Sequence, residues 1–239
     1  MQQTSTQHIL ITGANRGIGF ELTRQYALRE NLRIFAACRH PDAASELQRL
    51  AQQHSGIIPL PLDVTDHESI RQAAQIVSQQ TDTLDLLINN AGIDLPETEQ
   101  ALENITPEAM QHVYAVNTIA PLIMAQAFAV FLSRSRRPCL INITSEMASI
   151  SDRDYGGAYA YCASKAALNM TTRGLAVDLG RQGIICIALD PGWVQTDMGG
   201  TRAPLTPAES VSGMVSVIDQ LSPEHNGSYL RWDGSTLSW

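Results

Sequence analysis

Short runs of apolar residues alternate with longer helical patterns along the whole 239-residue chain, beginning with His8-Ile-Leu-Ile-Thr12, which stops at Gly13. An unbroken apolar run of that length suits a strand buried on both faces, as in a parallel sheet covered by helices. Similar runs recur at 32–38, 57–62, 84–89, 138–143 and 184–189, with a short one at 228–231. Helical patterns fill 17–29, 42–53, 66–80, 106–133, 158–181 and 207–221. Strand, helix and strand in strict succession imply right-handed crossovers between parallel strands, hence helices on both faces of one sheet. The expected architecture is a doubly wound α/β sheet of order 3-2-1-4-5-6-7. The pattern uses residues 1–239 as a single domain, with 1–7 as a polar, flexible start.

Charge and composition narrow the function. The chain carries 16 basic and 24 acidic residues, a net charge of −8, whereas a nucleic-acid binder concentrates positive charge on one face. The longest nearly apolar run, 119–132, contains Pro121 and Gln126 and is too short to span a bilayer, so a buried helix and no membrane partner are expected. Residues 1–7 lack the basic start and apolar stretch of a secretory signal, which points to a cytoplasmic protein. Cys38, Cys139, Cys162 and Cys186 lie far apart without a CxxC pair, and the six histidines are scattered. Reduced thiols and no metal site are therefore expected.

The first strand-to-helix turn reads Thr12-Gly-Ala-Asn-Arg-Gly-Ile-Gly19. Gly13 permits a tight turn, Gly17 lets the backbone approach an anion, and Gly19 lets helix and strand pack closely. Free N–H groups at the start of the next helix, with the partial positive charge there, suit a pyrophosphate. The spacing is GxxxGxG rather than GxGxxG, so its position directly after the first apolar run carries the weight. Asp63, after the third run, is placed either to accept from an adenine amino group or to start the following helix. Asn89-Asn-Ala-Gly92 ends the fourth run, where small residues let a strand end abut a cofactor; it also reads as a plain turn.

Tyr161 and Lys165 are four apart in a helical segment and so share one face. A free tyrosine, with a pKa of about 10, is a poor acid–base at neutral pH. An ammonium about 4 Å away would stabilise the phenolate by up to roughly 4 kcal/mol at an effective dielectric of about 20, before desolvation opposes it. Ser145 follows the apolar run Leu140-Ile-Asn-Ile-Thr144, at the carboxyl end of a parallel strand where ligands bind in this architecture. Its hydroxyl could hold a substrate oxygen. Asn117 lies within an expected long helix although Asn is a mediocre helix former. It is either a surface polar residue or the holder of a water linking Lys165 to solvent.

Taken together, TGANRGIG, NNAG, VN, ITS, YCASK and PGWVQT, in that order, resemble the short-chain dehydrogenase/reductase family over essentially the entire chain. The resemblance implies a single-domain Rossmann fold and gives each motif a role. Tyr161 would be the general acid/base, Lys165 would lower its pKa and hold the nicotinamide ribose, Ser145 would bind the substrate oxygen, and Asn117 would complete a proton relay. The loop of Gly13, Gly17 and Gly19 would bind the pyrophosphate, with Asn15, Arg16 and Ile18 among its cofactor-binding residues. Asp63 would contact adenine with Val64 beside it, and Asn90 would lie by the adenosine ribose, followed by Ala91 and Gly92. The segment from Pro191 and Gly192 to Thr196 would hold the carboxamide through Val194 and Thr196. PGWVQTDMGG, the following Ala203-Pro-Leu-Thr-Pro-Ala-Glu-Ser210 and Arg231-Trp-Asp-Gly234 are similar to the C-factor and Sniffer group of carbonyl reductases, and that resemblance implies that some relatives act in cell–cell signalling.

The second run ends Ala36-Ala-Cys-Arg-His40, with no acid before Asp42. A site for NAD usually places an acid there, about 20 residues beyond the glycine loop, to accept from the ribose 2′-hydroxyl. Arg39 is placed to grip a 2′-phosphate in a bidentate contact, and Arg16 to reach it from the loop, so NADP(H) is expected in preference to NAD(H). A substrate mouth of Glu146, Met147, Tyr155, Trp193 and Met198 would favour small apolar or aromatic carbonyl or alcohol substrates, unless Trp193 packs on its own surface. Surplus apolar residues on 106–133 and 158–181, among them Leu122, Ile123, Phe128, Val130 and Phe131, suggest a homodimer or homotetramer built through these helices. The expected function is NADPH-dependent carbonyl reduction. A cofactor-binding signalling protein of the C-factor type and an NAD-dependent alcohol dehydrogenase are the alternatives.

Overall fold

A computed structural model describes residues 6–239. Its strands are β1 (Gln7–Thr12), β2 (Leu32–Cys38), β3 (Ile57–Pro61), β4 (Leu86–Asn89), β5 (Cys139–Ile143), β6 (Ile185–Asp190) and β7 (Tyr229–Arg231). They form one seven-stranded sheet of order β3-β2-β1-β4-β5-β6-β7, and each neighbouring pair is parallel. The helices are α1 (Gly17–Ala27), α2 (Ser45–Gln53), α3 (His67–Ser78), α4 (Pro107–Tyr114), α5 (Ala120–Leu132), α6 (Tyr159–Gly180) and α7 (Pro207–Asp219). This is the doubly wound order expected from the alternation.

The strands are apolar at successive positions because both faces are covered. Ile9, Ile11, Ile34 and Ala36 join Leu22 and Tyr26 of α1, Leu47 of α2 and Met214 of α7 on one face. Leu10, Phe35 and Ala37 join Ile70 of α3, Phe128 of α5 and Leu179 of α6 on the other. Complete burial of a side chain such as Leu10 or Phe35 stabilises the fold by about 1.5–3 kcal/mol. Short polar side chains define three of the helix starts: Asp66 accepts from the Glu68 N–H at α3, Thr106 from Ala109 at α4, and Thr206 with Glu209 forms a capping box at α7.

Several expectations are corrected. Gln7, assigned to the flexible start, is the first residue of β1, while residues 1–5 lie outside those described. The helix expected over 106–133 is interrupted by a π-helical turn at Ala115–Ile119. As one continuous body, Pro107–Leu132 is long and apolar enough to cross a membrane by length and composition, unlike the shorter run 119–132 considered alone. Half of its most apolar stretch is buried inside the protein. Phe128 and Phe131, read as interface residues, are core, and Ile123 is half-buried against them; Leu122 and Val130 are exposed, as are Met170 and Val177 on α6.

Candidate active site

The chain leaves β1 for β2 on one side, while β4 pairs on β1's other side, so the carboxyl ends of β1 and β4 open a crevice at the point where strand order reverses. The glycine loop runs along that crevice. Gly13 and Gly17 have φ values of 67° and 54°, a region that penalises any side chain. A Cβ on Gly19 would lie 2.3 Å from the Gly13 carbonyl oxygen and 2.4 Å from Asn90 Nδ2. At its start α1 has neither a side-chain cap nor an acidic residue in the first turn. Its leading N–H groups could therefore hold an anion.

Thr12, whose side chain the sequence argument passed over, sets the other wall. Its Oγ1 accepts from the N–H groups of Asn90 (3.0 Å) and Ala91 (2.9 Å). The Asn90 amide donates to the Thr12 carbonyl at 2.8 Å, so this side chain braces the glycine loop. Gly92 stands opposite Asn117 and Lys165: a Cβ there would meet Asn117 Oδ1 at 3.4 Å and Lys165 Nζ at 3.5 Å.

The two arginines separate. Arg39 is exposed at the end of β2, makes no hydrogen bond or ion pair among the described residues, and acts electrostatically on Asp63 at the end of β3. Arg16 does not join it. Its guanidinium pairs with Asp197 at 3.1 Å, reaching toward the loop after β6, on the opposite side of β1 from β2. Asp63 accepts from the Thr65 N–H and hydroxyl, which hold its carboxyl below the ordinary range. Its alternative role, starting α3, belongs to Asp66. Val64 packs against the core, Asn15 is exposed and Ile18 is half-buried against the core.

The chemical groups meet where β5 faces α6. Ser145 follows β5, and its hydroxyl accepts the Met147 N–H at 3.2 Å and hydrogen-bonds the Tyr161 side chain. Tyr161 is buried, and desolvation pushes its hydroxyl above the ordinary value, with Asp94 adding to the rise and the Ser145 contact opposing it. Lys165, the chain's single lysine, donates to the Ile143 carbonyl at 2.8 Å and stands 5.8 Å from the Tyr161 ring centre. Burial lowers its pKa to about 8, against an opposing effect of Asp94. Burial is the largest influence on both groups, raising the tyrosine and lowering the lysine.

Asn117 sits in the π-helical turn, a feature frequent at functional sites. It is fully buried, and its amide grips Ile93 through both backbone groups, accepting from N–H and donating to C=O at 2.9 Å each. It also donates to Ser164 Oγ at 3.1 Å, which in turn donates to the Tyr161 carbonyl at 2.7 Å. A second buried chain was missed: Asn89 to Asn142 (2.9 Å), Asn142 to Thr172 (2.8 Å), and Thr144 to Asn169 (2.8 Å). Asparagines inside strands were the available signal, since Asn is depleted there.

The expected mouth divides. Trp193 and Met198 are half-exposed on the loop after β6, and the Trp193 indole N–H donates to the Gly199 carbonyl at 2.7 Å. Tyr155 is exposed, lies under the Arg153 guanidinium at 4.6 Å and points its hydroxyl at Cys162. Met147 is half-buried beside Ser145. The Glu146 carboxylate pairs with Arg231 of β7. Beneath it, buried Asp190 accepts the Glu146 and Gly192 N–H groups, and desolvation raises its pKa to about 6. Pro191 accepts from Ser210 at 2.6 Å, Val194 is buried against Leu205, and the Thr196 methyl lies by Gly17, where a Cβ would meet it at 3.5 Å. Among the described residues no cluster of three His, Cys, Asp or Glu side chains suits a metal.

The same fold recurs in known proteins. The chain is 41% identical to an NADPH-bound carbonyl reductase from chicken fatty liver, with a TM-score of 0.93 over 98% of this chain and 100% of that one. The carbonyl reductase Sniffer of Drosophila melanogaster is 33% identical, with a TM-score of 0.92 over 98% and 100%. The C-signal of Myxococcus xanthus is 40% identical over 159 residues, 66% of this chain and 95% of that protein. The family model for short chain dehydrogenase matches residues 7–205, a span that holds the glycine loop, Ser145, Tyr161 and Lys165. The chain therefore belongs to the short-chain dehydrogenase family of oxidoreductases.

Proposed function

We propose that the protein is an NADPH-dependent carbonyl reductase. The observation that carries this reading is the convergence of Ser145, Tyr161 and Lys165 at the crevice beside an uncapped helix start. The glycine loop and the first N–H groups of α1 would hold a pyrophosphate, and Lys165, beside Gly92, would hold a ribose. The reduced nicotinamide supplies the hydride. Tyr161 donates the proton to the carbonyl oxygen, and Ser145 holds that oxygen and stabilises the charge that develops on it. Its raised pKa keeps Tyr161 protonated at neutral pH, as reduction requires. Asn117 contributes by fixing Ile93 and, through Ser164, the helix turn that bears Tyr161.

The reading of NADP(H) over NAD(H) rests on Arg39, exposed and unpaired among the described residues, where no acid occupies the end of β2. The NADPH carried by the chicken liver relative supports it. One charge-assisted contact of about 1.5–3 kcal/mol corresponds to a preference of at least about tenfold. Dissociation constants for both cofactors, measured on wild type and on Arg39→Asp, test this directly. Wild type binds NADPH more tightly and the substitution collapses or inverts the ratio; equal affinities in wild type, or an unchanged ratio in the variant, refute it. Trp193, Met198 and Tyr155, exposed around the Ser145 side, favour apolar or aromatic carbonyl compounds.

A further inference from the structure

Helix α6 carries both Tyr161 and Lys165, yet its start is poorly provided for. Its N-cap residue, Ala158, is in the left-handed region at φ 47° and offers no side-chain cap. The first internal bond runs from the Cys162 N–H to the Ala158 carbonyl, which leaves the Tyr161 N–H as a donor that a capping side chain would normally satisfy. Gln100, from the loop between β4 and α4, takes that place. It is almost fully buried, and its Oε1 accepts the Tyr161 N–H at 3.1 Å from 61 positions away. Its amide donates to Asp94 Oδ1 at 2.7 Å and to the Leu95 carbonyl at 2.9 Å, while Asp94 Oδ1 also accepts the Leu95 N–H at 2.8 Å. Asp94 follows Ile93, the residue gripped by Asn117, and its carboxylate acts electrostatically on both Tyr161 and Lys165.

We propose that Gln100 and Asp94 are a positioning pair for the catalytic helix: Gln100 serves as the missing N-cap of α6, and Asp94 orients Gln100 while placing a negative charge against Lys165 and Tyr161. The proposal rests on the reading of Tyr161 and Lys165 as the working groups. The pair divides cleanly in chemistry. Gln100 acts through a hydrogen bond to the backbone of the very residue that bears the phenol. Asp94 acts through charge, and its sign favours the protonated forms of both groups. Asp190 from the end of β6 acts on Tyr161 in the same sense, and Cys162 lies beside it on α6. Lys165 itself is acted on by Asp94. Asp94 is exposed on its outer side, so the charge effect is screened and modest compared with the loss of the cap.

Two substitutions separate the two roles. Gln100→Met keeps the bulk and removes both polar atoms. Amide hydrogen exchange of the α6 start is then expected to rise about fivefold, the equivalent of one hydrogen bond of roughly 1 kcal/mol, and kcat for carbonyl reduction to fall with the KM for NADPH unchanged. Asp94→Asn keeps an oxygen that accepts from Leu95 and Gln100 but removes the charge. It is expected to leave exchange at α6 as in wild type and to move the titration of Lys165 to lower pH. Because Lys165 is the only lysine, its ε-carbon gives a single signal in protein labelled with ¹³C-lysine, so the titration is read without turnover. The alkaline limb of kcat should move down with it. Unchanged exchange in Gln100→Met, or an unmoved Lys165 titration in Asp94→Asn, overturns the pair. A wild type that oxidises no NADPH with any carbonyl compound would instead overturn the proposed function, while exchange and NMR still decide the positioning roles.

Discussion

The two halves of the crevice are held by different means. On the β1 side, main-chain atoms and glycines do the work: Gly19 fits under the Gly13 carbonyl, and Thr12 and Asn90 stitch the loop to the end of β4 through backbone groups. On the β5 and α6 side, buried side chains hold one another: Asn89 with Asn142, Asn142 with Thr172, Thr144 with Asn169, and Asn117 with Ser164. The first half presents N–H groups to an anion, a task for shape. The second must hold a proton donor and a cation in a dry setting, where every unpaired polar atom is costly. Binding and chemistry are therefore separable by substitution.

The largest effect is expected from Tyr161→Phe. General acid–base groups contribute about 10²–10⁴-fold, so turnover should fall by that factor while the affinity for NADPH stays within about twofold of wild type. A folded variant that keeps a tenth of wild-type turnover would place the proton donor elsewhere. Asn90→Ala strikes the other half. Losing the brace between β4 and the glycine loop should cost about 1–3 kcal/mol in loop order, equivalent to NADPH binding weakened by about 5- to 150-fold, with kcat at saturating cofactor nearly unchanged. A fall in kcat with affinity intact would show that the halves are coupled.

The pH dependence sharpens the contrast further. Lys165 has its pKa lowered to about 8 by burial, so its charge is present below that value and lost above it. Carbonyl reduction should decline as pH rises through about 8. The stability contribution of this group runs the other way. The folded state binds fewer protons than the unfolded one between about 8 and the ordinary lysine value, so the cost of burying Lys165 is relieved as pH rises across that window. Lys165→Met should remove this rise from urea titrations taken at pH 8 and above.

The same division explains what the sequence could tell. Strand order and the glycine loop were legible because they rest on local patterns: apolar runs for a sheet covered on both faces, and glycines where φ is positive or a Cβ has no room. Tyr161 and Lys165 were legible through their spacing on one helix. The direction of Arg16 was not legible, because adjacency in a loop does not fix it; its partner, Asp197, is 181 positions away. Nor was the ion pair of Glu146 with Arg231 on β7 legible, for the same reason. The spacing of Tyr161 and Lys165 gives their proximity and says nothing of desolvation, which acts on both groups at once. Asn117 was noticed as a poor helix former, and the π-helical turn is the physical answer to that misfit.

The most direct test of the account is whether hydride passes to a carbonyl carbon in this protein. Wild type should be incubated with NADPH carrying deuterium at the transferable C4 position and an aromatic aldehyde, and the alcohol analysed by mass spectrometry. The account predicts one deuterium at the carbinol carbon with wild type, and almost no labelled alcohol with Tyr161→Phe although that variant still binds the cofactor. A wild-type protein that binds NADPH tightly yet yields no labelled alcohol from aldehydes or diketones would contradict it, and would mark the crevice as a cofactor-binding module without turnover.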